Sequence, residues 1–152
     1  NNGAGRLDRV KLSYKRSLEF ALIAMVLILT PVILFAPTLL SIFTDTQEVI
    51  SIGRRYLYIQ VLTFFSYVAM NQSNSVLQGL KRPAMIMWVG AYRQLAAPFV
   101  VFPLLIGPAG LGVAGVWWGL VIVNWTAALA TLFHTRRKLK EAEAAQAAVE
   151  PA

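Results

Sequence analysis

Four apolar runs, each long enough to cross a lipid bilayer, constrain this chain more than any other feature. A hydrocarbon core about 30 Å thick is spanned by about 20 helical residues. Residues 18–43, 56–80, 84–106 and 113–133 form runs of 26, 25, 23 and 21 residues. Backbone polar groups in lipid must be satisfied within their own segment, so each run is read as a helix. The expected fold class is an all-α membrane protein with four transmembrane helices. Charged residues make up 14% of the chain, against about 25% in soluble domains. Outside the runs lie a basic connector over 1–17, short loops and a tail over 134–152, which leave no room for a soluble catalytic domain.

The residue inventory narrows the chemistry. The chain has no cysteine and one histidine, so thiolate zinc or iron–sulfur sites, histidine metal cages and cysteine nucleophiles are excluded. Paired acids within the spans are absent too, and no enzyme activity, catalytic residue, metal or cofactor is expected. Gly3-Ala4-Gly5-Arg6 follows no predicted strand and lacks the Gly-Lys-Ser/Thr ending of a phosphate loop. The opening Asn1-Asn2-Gly3 has neither an initiator Met nor a signal-peptide pattern, and the chain is read as beginning inside a longer protein.

The net charge of +7 would suggest nucleic acid in a soluble protein, but here the basic residues cluster beside the apolar runs. The leading segment carries Arg6, Arg9, Lys11, Lys15 and Arg16, the turn after the second run Lys81 and Arg82, and the tail Arg136, Arg137, Lys138 and Lys140. These eleven charges lie on one side, against Arg54 and Arg55 on the other. Short loops rich in Lys and Arg stay in the cytoplasm, so both ends are expected there, with lipid as the surrounding partner and no nucleic acid.

Within the second run, Gln60, Thr63, Tyr67, Asn71, Asn74 and Gln78 recur at steps of three and four. With 3.6 residues per turn they line one helical face. Polar groups at bilayer depth need a partner or water. The stripe is read either as the lining of a solute cavity or as hydrogen-bonding glue between helices. Arg93, the one cation inside a run, falls at the same expected depth as Asn71 and Asn124, about 13–14 Å from the cytoplasmic face. It either organises a polar layer around a solute, counterion or external carboxylate, or snorkels to the interface and bonds helix carbonyls. Glu19 is the sole acid within a run; it is a candidate ion relay, set against a simple ion pair with Lys15 or Arg16. His134 reads as an interfacial residue near a helix C-terminus.

Pro31, Pro37, Pro98 and Pro103 are expected to bend their helices. Asp45 and Glu48 are spaced to cap a new helix, whose first part, near residues 50–58, lies partly in the interface. Gly112, Gly115 and Gly119 are expected to admit a close helix neighbour. Trp117 and Trp118 suit an aromatic belt, with Trp125 joining them in a ligand-stacking alternative. Gly107-Pro108-Ala109-Gly110 is a turn. Beyond Lys138 a frayed, solvated helix is expected, with Arg137 and Glu141 spaced for one weak pair.

Asn2-Gly3-Ala4-Gly5-Arg6, Glu48-Val49-Ile50 with Gly53 and Tyr56-Leu57, Gln78-Gly79-Leu80-Lys81-Arg82-Pro83, Tyr92-Arg93-Gln94 and Gly115-Val116-Trp117-Trp118-Gly119 together form an ordered set. In these residues the chain resembles the multidrug and toxic compound extrusion (MATE) transporters, from Asn2 to about Arg137. The resemblance implies twelve helices in two six-helix lobes around a central cavity, of which this chain supplies helices nine to twelve. It also implies a multi-pass plasma-membrane protein, of the bacterial inner membrane, that exports small organic cations or amphipathic compounds in exchange for Na+ or H+ by alternating access. The missing N-terminal part of the same transporter would be its partner. Some members carry an acid in the helix matching the second run; here residues 56–80 contain no Asp or Glu. A lipid-linked saccharide flippase of related architecture, which predicts more cavity cations, and a small structural membrane protein are the competing readings.

The charge count makes a topological prediction. Single cysteines at Asn2 and Gln146 should react with an impermeant thiol reagent only from the cytoplasmic side of sealed vesicles, and one at Gln47 only from outside. Labelling of position 146 from outside contradicts it.

Overall fold

The computed structural model describes residues 7–149, and among these every regular element is helical. Helix α1 spans Leu7–Leu34 and α2 Ala36–Ser41. Helix α3 spans Gln47–Gly79 and α4 Ala84–Ala96. A π-helical turn at Ala97–Val101 leads into α5, Phe102–Ile106, and α6 spans Val113–Val149. Arg6 and the Asn2-Gly3-Ala4-Gly5 motif lie outside the described residues.

The helices overrun the predicted spans because helix formation continues into water wherever good helix formers follow. The first begins at Leu7 rather than at residue 18. The third is unbroken from Gln47, and Ile50, expected at the interface, is buried. The tail is a continuation of α6. It is less solvated than expected, because Leu139 is buried and Glu143 pairs with Lys11 of α1. Arg137 and Lys138 both bond Glu141, at 2.9 and 2.6 Å. Outside the predicted span, these two cations, Lys138 first, hold the Glu141 carboxyl below the usual carboxylate range.

Three of the four prolines expected to bend their helices lie at a break or a start of regular α-helix, and the fourth precedes one. Pro31 sits inside α1, three residues before its end at Leu34. Phe35 then leaves the helical region at φ −102°, ψ 14° while its amide still reaches Pro31 O at 2.9 Å. Pro37 opens α2, where a missing amide costs little. Pro98 lies within the π turn: without its N–H the ladder of the α-helix loses a bond, and the wider turn absorbs the mismatch. Pro103 opens α5.

The connector before α3 differs from expectation. Thr46, not Asp45, is the N-cap of α3, and the loop is closed by the Thr46 amide donating to Thr44 Oγ1 at 3.2 Å. After α3, Arg82 N bonds Leu77 O and Lys81 N bonds Gln78 O, both at 2.9 Å. Lys81 has φ 58°. This is the paired-bond helix terminator that favours glycine at the left-handed position; here a lysine occupies it, and Pro83 prevents continuation.

Among the described residues three helices, Leu7–Leu34, Ala84–Ile106 and Val113–Gln146, are long and apolar enough to cross a membrane. Four were expected; α3, at 33 residues, has the length, but its Gln, Asn, Ser and Thr residues keep its hydropathy below theirs. Large apolar side chains point outward, including Phe20 at 70%, Leu27 at 69% and Phe133 at 72% exposure. Apolar surface of this extent requires lipid or protein against it. The polar-rich α3 instead makes its most extensive contact with α6, and α1 also packs against it. Ala69, Met70, Val89, Ala127 and Ala128 form the core where α3, α4 and α6 meet.

The small residues of α6 allow α5 to lie close. A Cβ on Gly115 would stand 2.9 Å from the Leu105 carbonyl, and one on Gly119 2.7 Å from the Phe102 ring. Gly112 does not share this role; at φ +54° it completes the turn before α6. Gly115→Ala should therefore lower stability by about 1–3 kcal/mol, the usual cost of overpacking. Gly90→Ala, where nothing lies within 4 Å, should raise it by about 0.5–1 kcal/mol through helix propensity. Thermal unfolding in detergent separates the two; a Gly115→Ala protein as stable as the parent contradicts the close packing.

Candidate functional site

The polar stripe of α3 does not keep to one environment, and the reason is its period. Gln60, Thr63, Tyr67, Asn71, Asn74 and Gln78 advance 18 residues in five steps, matching the 3.6-residue turn. One buried line of α3 runs through Gln60, Thr63, Ser66, Met70, Ser73 and Leu77 and advances 17, with Val68 and Ala69 buried beside it. Its mean step is close to that of a left-handed helix-packing seam, which drifts about the surface of a straight helix. The two lines coincide at Gln60 and Thr63 and then part. Asn71 and Gln78 are exposed, while Tyr67 and Asn74 are half-buried.

Where the lines coincide, the stripe is part glue and part cavity. Gln60 Nε2 donates to the Trp117 carbonyl of α6 at 3.3 Å, and Thr63 Oγ1 donates to Gln60 Oε1 at 3.2 Å. Beside them lies a cavity of about 280 Å³, lined by Tyr56, Gln60, Thr63 and Tyr67 of α3 and by Asn124 of α6. Asn124 is 4% exposed. Its Nδ2 donates to Leu120 O at 2.7 Å, and its Oδ1 is buried with no hydrogen-bond partner among the described residues. An unmet acceptor of this kind costs about 1–3 kcal/mol.

Arg93 of α4 borders this region through Tyr67. Its Nη2 donates to the Tyr67 hydroxyl at 2.6 Å, its guanidinium carbon stands 4.8 Å from the Tyr67 ring centroid, and Nη1 reaches Met70 Sδ at 4.0 Å. Tyr67 therefore holds the charge by both its oxygen and its π face. The guanidinium bonds a side chain of α3 rather than helix carbonyls. No hydrogen bond among the described residues joins Arg93 to Asn71 or Asn124.

Other expected site residues sit apart. Glu19 faces Lys15 at 3.9 Å and Arg16 at 3.5 Å on its own helix, so a relay role would begin from an already paired carboxylate. His134 is half-buried on α6. Of the tryptophans, Trp125 Nε1 donates to Leu62 O at 3.0 Å, Trp117 meets Tyr56 edge-on at 5.7 Å between ring centroids, and Trp118 is exposed. They are dispersed along α6 and do not stack as a set.

A polar node escaped the sequence reading. Ser73 is fully buried, pairs with Tyr14 of α1 through their hydroxyls at 2.8 Å, and donates to Ala69 O at 2.7 Å. Its carbonyl lies 3.5 Å from Thr135 Oγ1 of α6. The signal for it was Ser66 and Ser73 at i, i+7 facing Thr131 and Thr135 at i, i+4, small hydroxylated residues that suit close membrane-helix packing.

The Arg93 geometry carries a stability prediction. Tyr67→Phe keeps the ring under the guanidinium but removes its acceptor, and should destabilise the protein by about 1.5 kcal/mol, as expected for a hydrogen bond to a charged group. Tyr67→Leu removes both contacts and should cost more. Denaturant titration in mixed micelles ranks the variants; equal stability of Tyr67→Phe and the parent sinks the assignment.

No curated protein and no solved structure matches the chain. A comparison with protein families matches residues 1–104 to MatE. The match takes in α1 to α4 and the π turn, and with them Arg93 and the whole stripe of α3; only part of α5 and all of α6 lie beyond it. With an all-helical structure and apolar helices long enough to cross a bilayer, the chain belongs to the MatE family of membrane transporters.

Proposed function

We propose that the chain forms helices nine to twelve of a cation-coupled multidrug efflux antiporter, in which two six-helix lobes rock around a central cavity. The observation that carries this reading is the cavity between α3 and α6. It brings together the polar side chains of Gln60, Thr63, Tyr67 and Asn124, next to a charge held by Tyr67. Alternating access needs such a site at the junction of moving elements, with ions biasing the two states. The exposed Asn71 and Gln78 extend the polar face toward the second lobe of this arrangement. A small organic cation would find acceptors and aromatic faces here, and Na+ or H+ is the coupling ion that the family resemblance implies. Because residues 56–80 lack Asp and Glu, the coupling carboxylate is assigned to another part of the transporter. A saccharide flippase would call for more cavity cations than Arg93 alone. The eleven-to-two charge asymmetry supports an orientation with both described ends cytoplasmic, and the family resemblance implies the bacterial inner membrane.

Two measurements on the full-length protein test this. Cysteines at Asn71, Asn74 and Gln78 should react with a water-soluble thiol reagent, and one at Gln60, tied to Trp117, should react less; uniform protection would reduce the stripe to helix glue. Arg93→Leu should cut drug export about tenfold, equivalent to about 1.4 kcal/mol in the barrier, at normal membrane levels, and Arg93→Lys should recover only part, since an ammonium lacks the planar fork. Full export by Arg93→Leu removes Arg93 from the mechanism.

A further inference from the structure

We propose that the groove between the start of α1 and the end of α6 binds the phosphodiester headgroup of an anionic phospholipid. The inference requires only that α1 and α6 lie in a membrane, so its failure would leave the transport reading standing. The groove encloses about 890 Å³. Lys11 and Lys15 line it from α1, and Arg136, Arg137 and Lys140 from α6.

The acids nearby do not balance these charges. Glu141 is the one acidic lining residue and already bonds Arg137 and Lys138. Glu143 pairs with Lys11, and Lys15 has only a long 3.9 Å approach to Glu19. Arg136 and Lys140 are exposed and have no acidic partner among the described residues. Lys11 with Lys15, and Arg136 with Lys140, are like charges at i, i+4, an arrangement that destabilises each helix. An anion between Lys15 of α1 and the Arg136 and Lys140 pair of α6 would offset this repulsion.

The order of chemistry along the groove selects a lipid rather than a soluble anion. Leu18 and Phe133 line its deeper part, three residues and about 4.5 Å beyond Lys15 and Arg136. Phe133 is 72% exposed. A cationic rim above an apolar wall matches a phosphate above its acyl chains, and basic pockets between membrane helices recognise such headgroups.

The test uses the full-length transporter in detergent, with lipid binding read by native mass spectrometry. Dioleoyl phosphatidylglycerol is the probe, dioleoyl phosphatidylcholine the neutral comparison and glycerol 3-phosphate the headgroup without chains. Phosphatidylglycerol should bind in preference to phosphatidylcholine. The double variant Arg136→Gln, Lys140→Gln should weaken that binding about 30-fold, roughly fivefold per basic residue. Arg54→Gln with Arg55→Gln, at the other end of the molecule, should leave it unchanged. Undiminished binding by the first variant, or an equal loss in the second, overturns the proposal. So does competition by glycerol 3-phosphate at equal concentration, which would assign the groove to a soluble phosphate ester. If the double variant does not fold, Lys140→Gln alone decides, with a fivefold loss expected and no loss overturning the site.

Discussion

The seam between α3 and α6 is the constraint on which the remaining structure depends. Ser66, Ser73, Thr131 and Thr135 are each at most 1% exposed; the hydroxyls of Ser66, Ser73 and Thr131 turn back to carbonyls of their own helices, and that of Thr135 crosses to Ser73 O. Between helices in lipid there is little hydrophobic driving force, so close approach of small residues and internally satisfied hydroxyls supply the association. Once α6 covers that line, α3 can remain poor in apolar residues. Tyr14 extends the same logic to α1 by bonding Ser73.

The seam also positions the candidate site. Its drift relative to the polar stripe leaves Gln60 and Thr63 against α6 and carries Asn71 and Gln78 away from it. Tyr67 is half-buried at the crossing point, so it can reach Arg93 from one side and line the cavity with Asn124 on the other. A helix whose polar and buried lines had equal periods would have buried all six residues or exposed all six. The mismatch produces a helix that is anchored at one end of its stripe and open at the other.

The prolines give the outer helices their shape without weakening that anchor. Breaks at Phe35 and at Ala97–Val101 lie on α1–α2 and α4–α5, while α3 and α6 run unbroken for 33 and 37 residues. Two unbroken helices are thus flanked by two jointed ones. The unbroken course of α6 brings its charged end back to α1, where Glu143 meets Lys11 and the basic groove forms.

Apolar run length, proline positions and the placement of Lys and Arg determined the fold class, the bends and the charge asymmetry from sequence alone. These depend on one-dimensional quantities: hydrocarbon thickness, a missing amide and net charge beside a span. Gly115 and Gly119 were legible for the same reason, being small residues at helical spacing. The stripe was visible as a pattern, but its division between glue, cavity and open face was decided by α6, because burial depends on the path of a neighbouring helix. Likewise nothing in the spacing of Arg93 distinguished a shared layer with Asn71 and Asn124 from the partner it takes, Tyr67. Equal depth fixes a height along the bilayer normal; only tertiary packing sets the rotation of each helix about its own axis, and that rotation chooses which side chains meet.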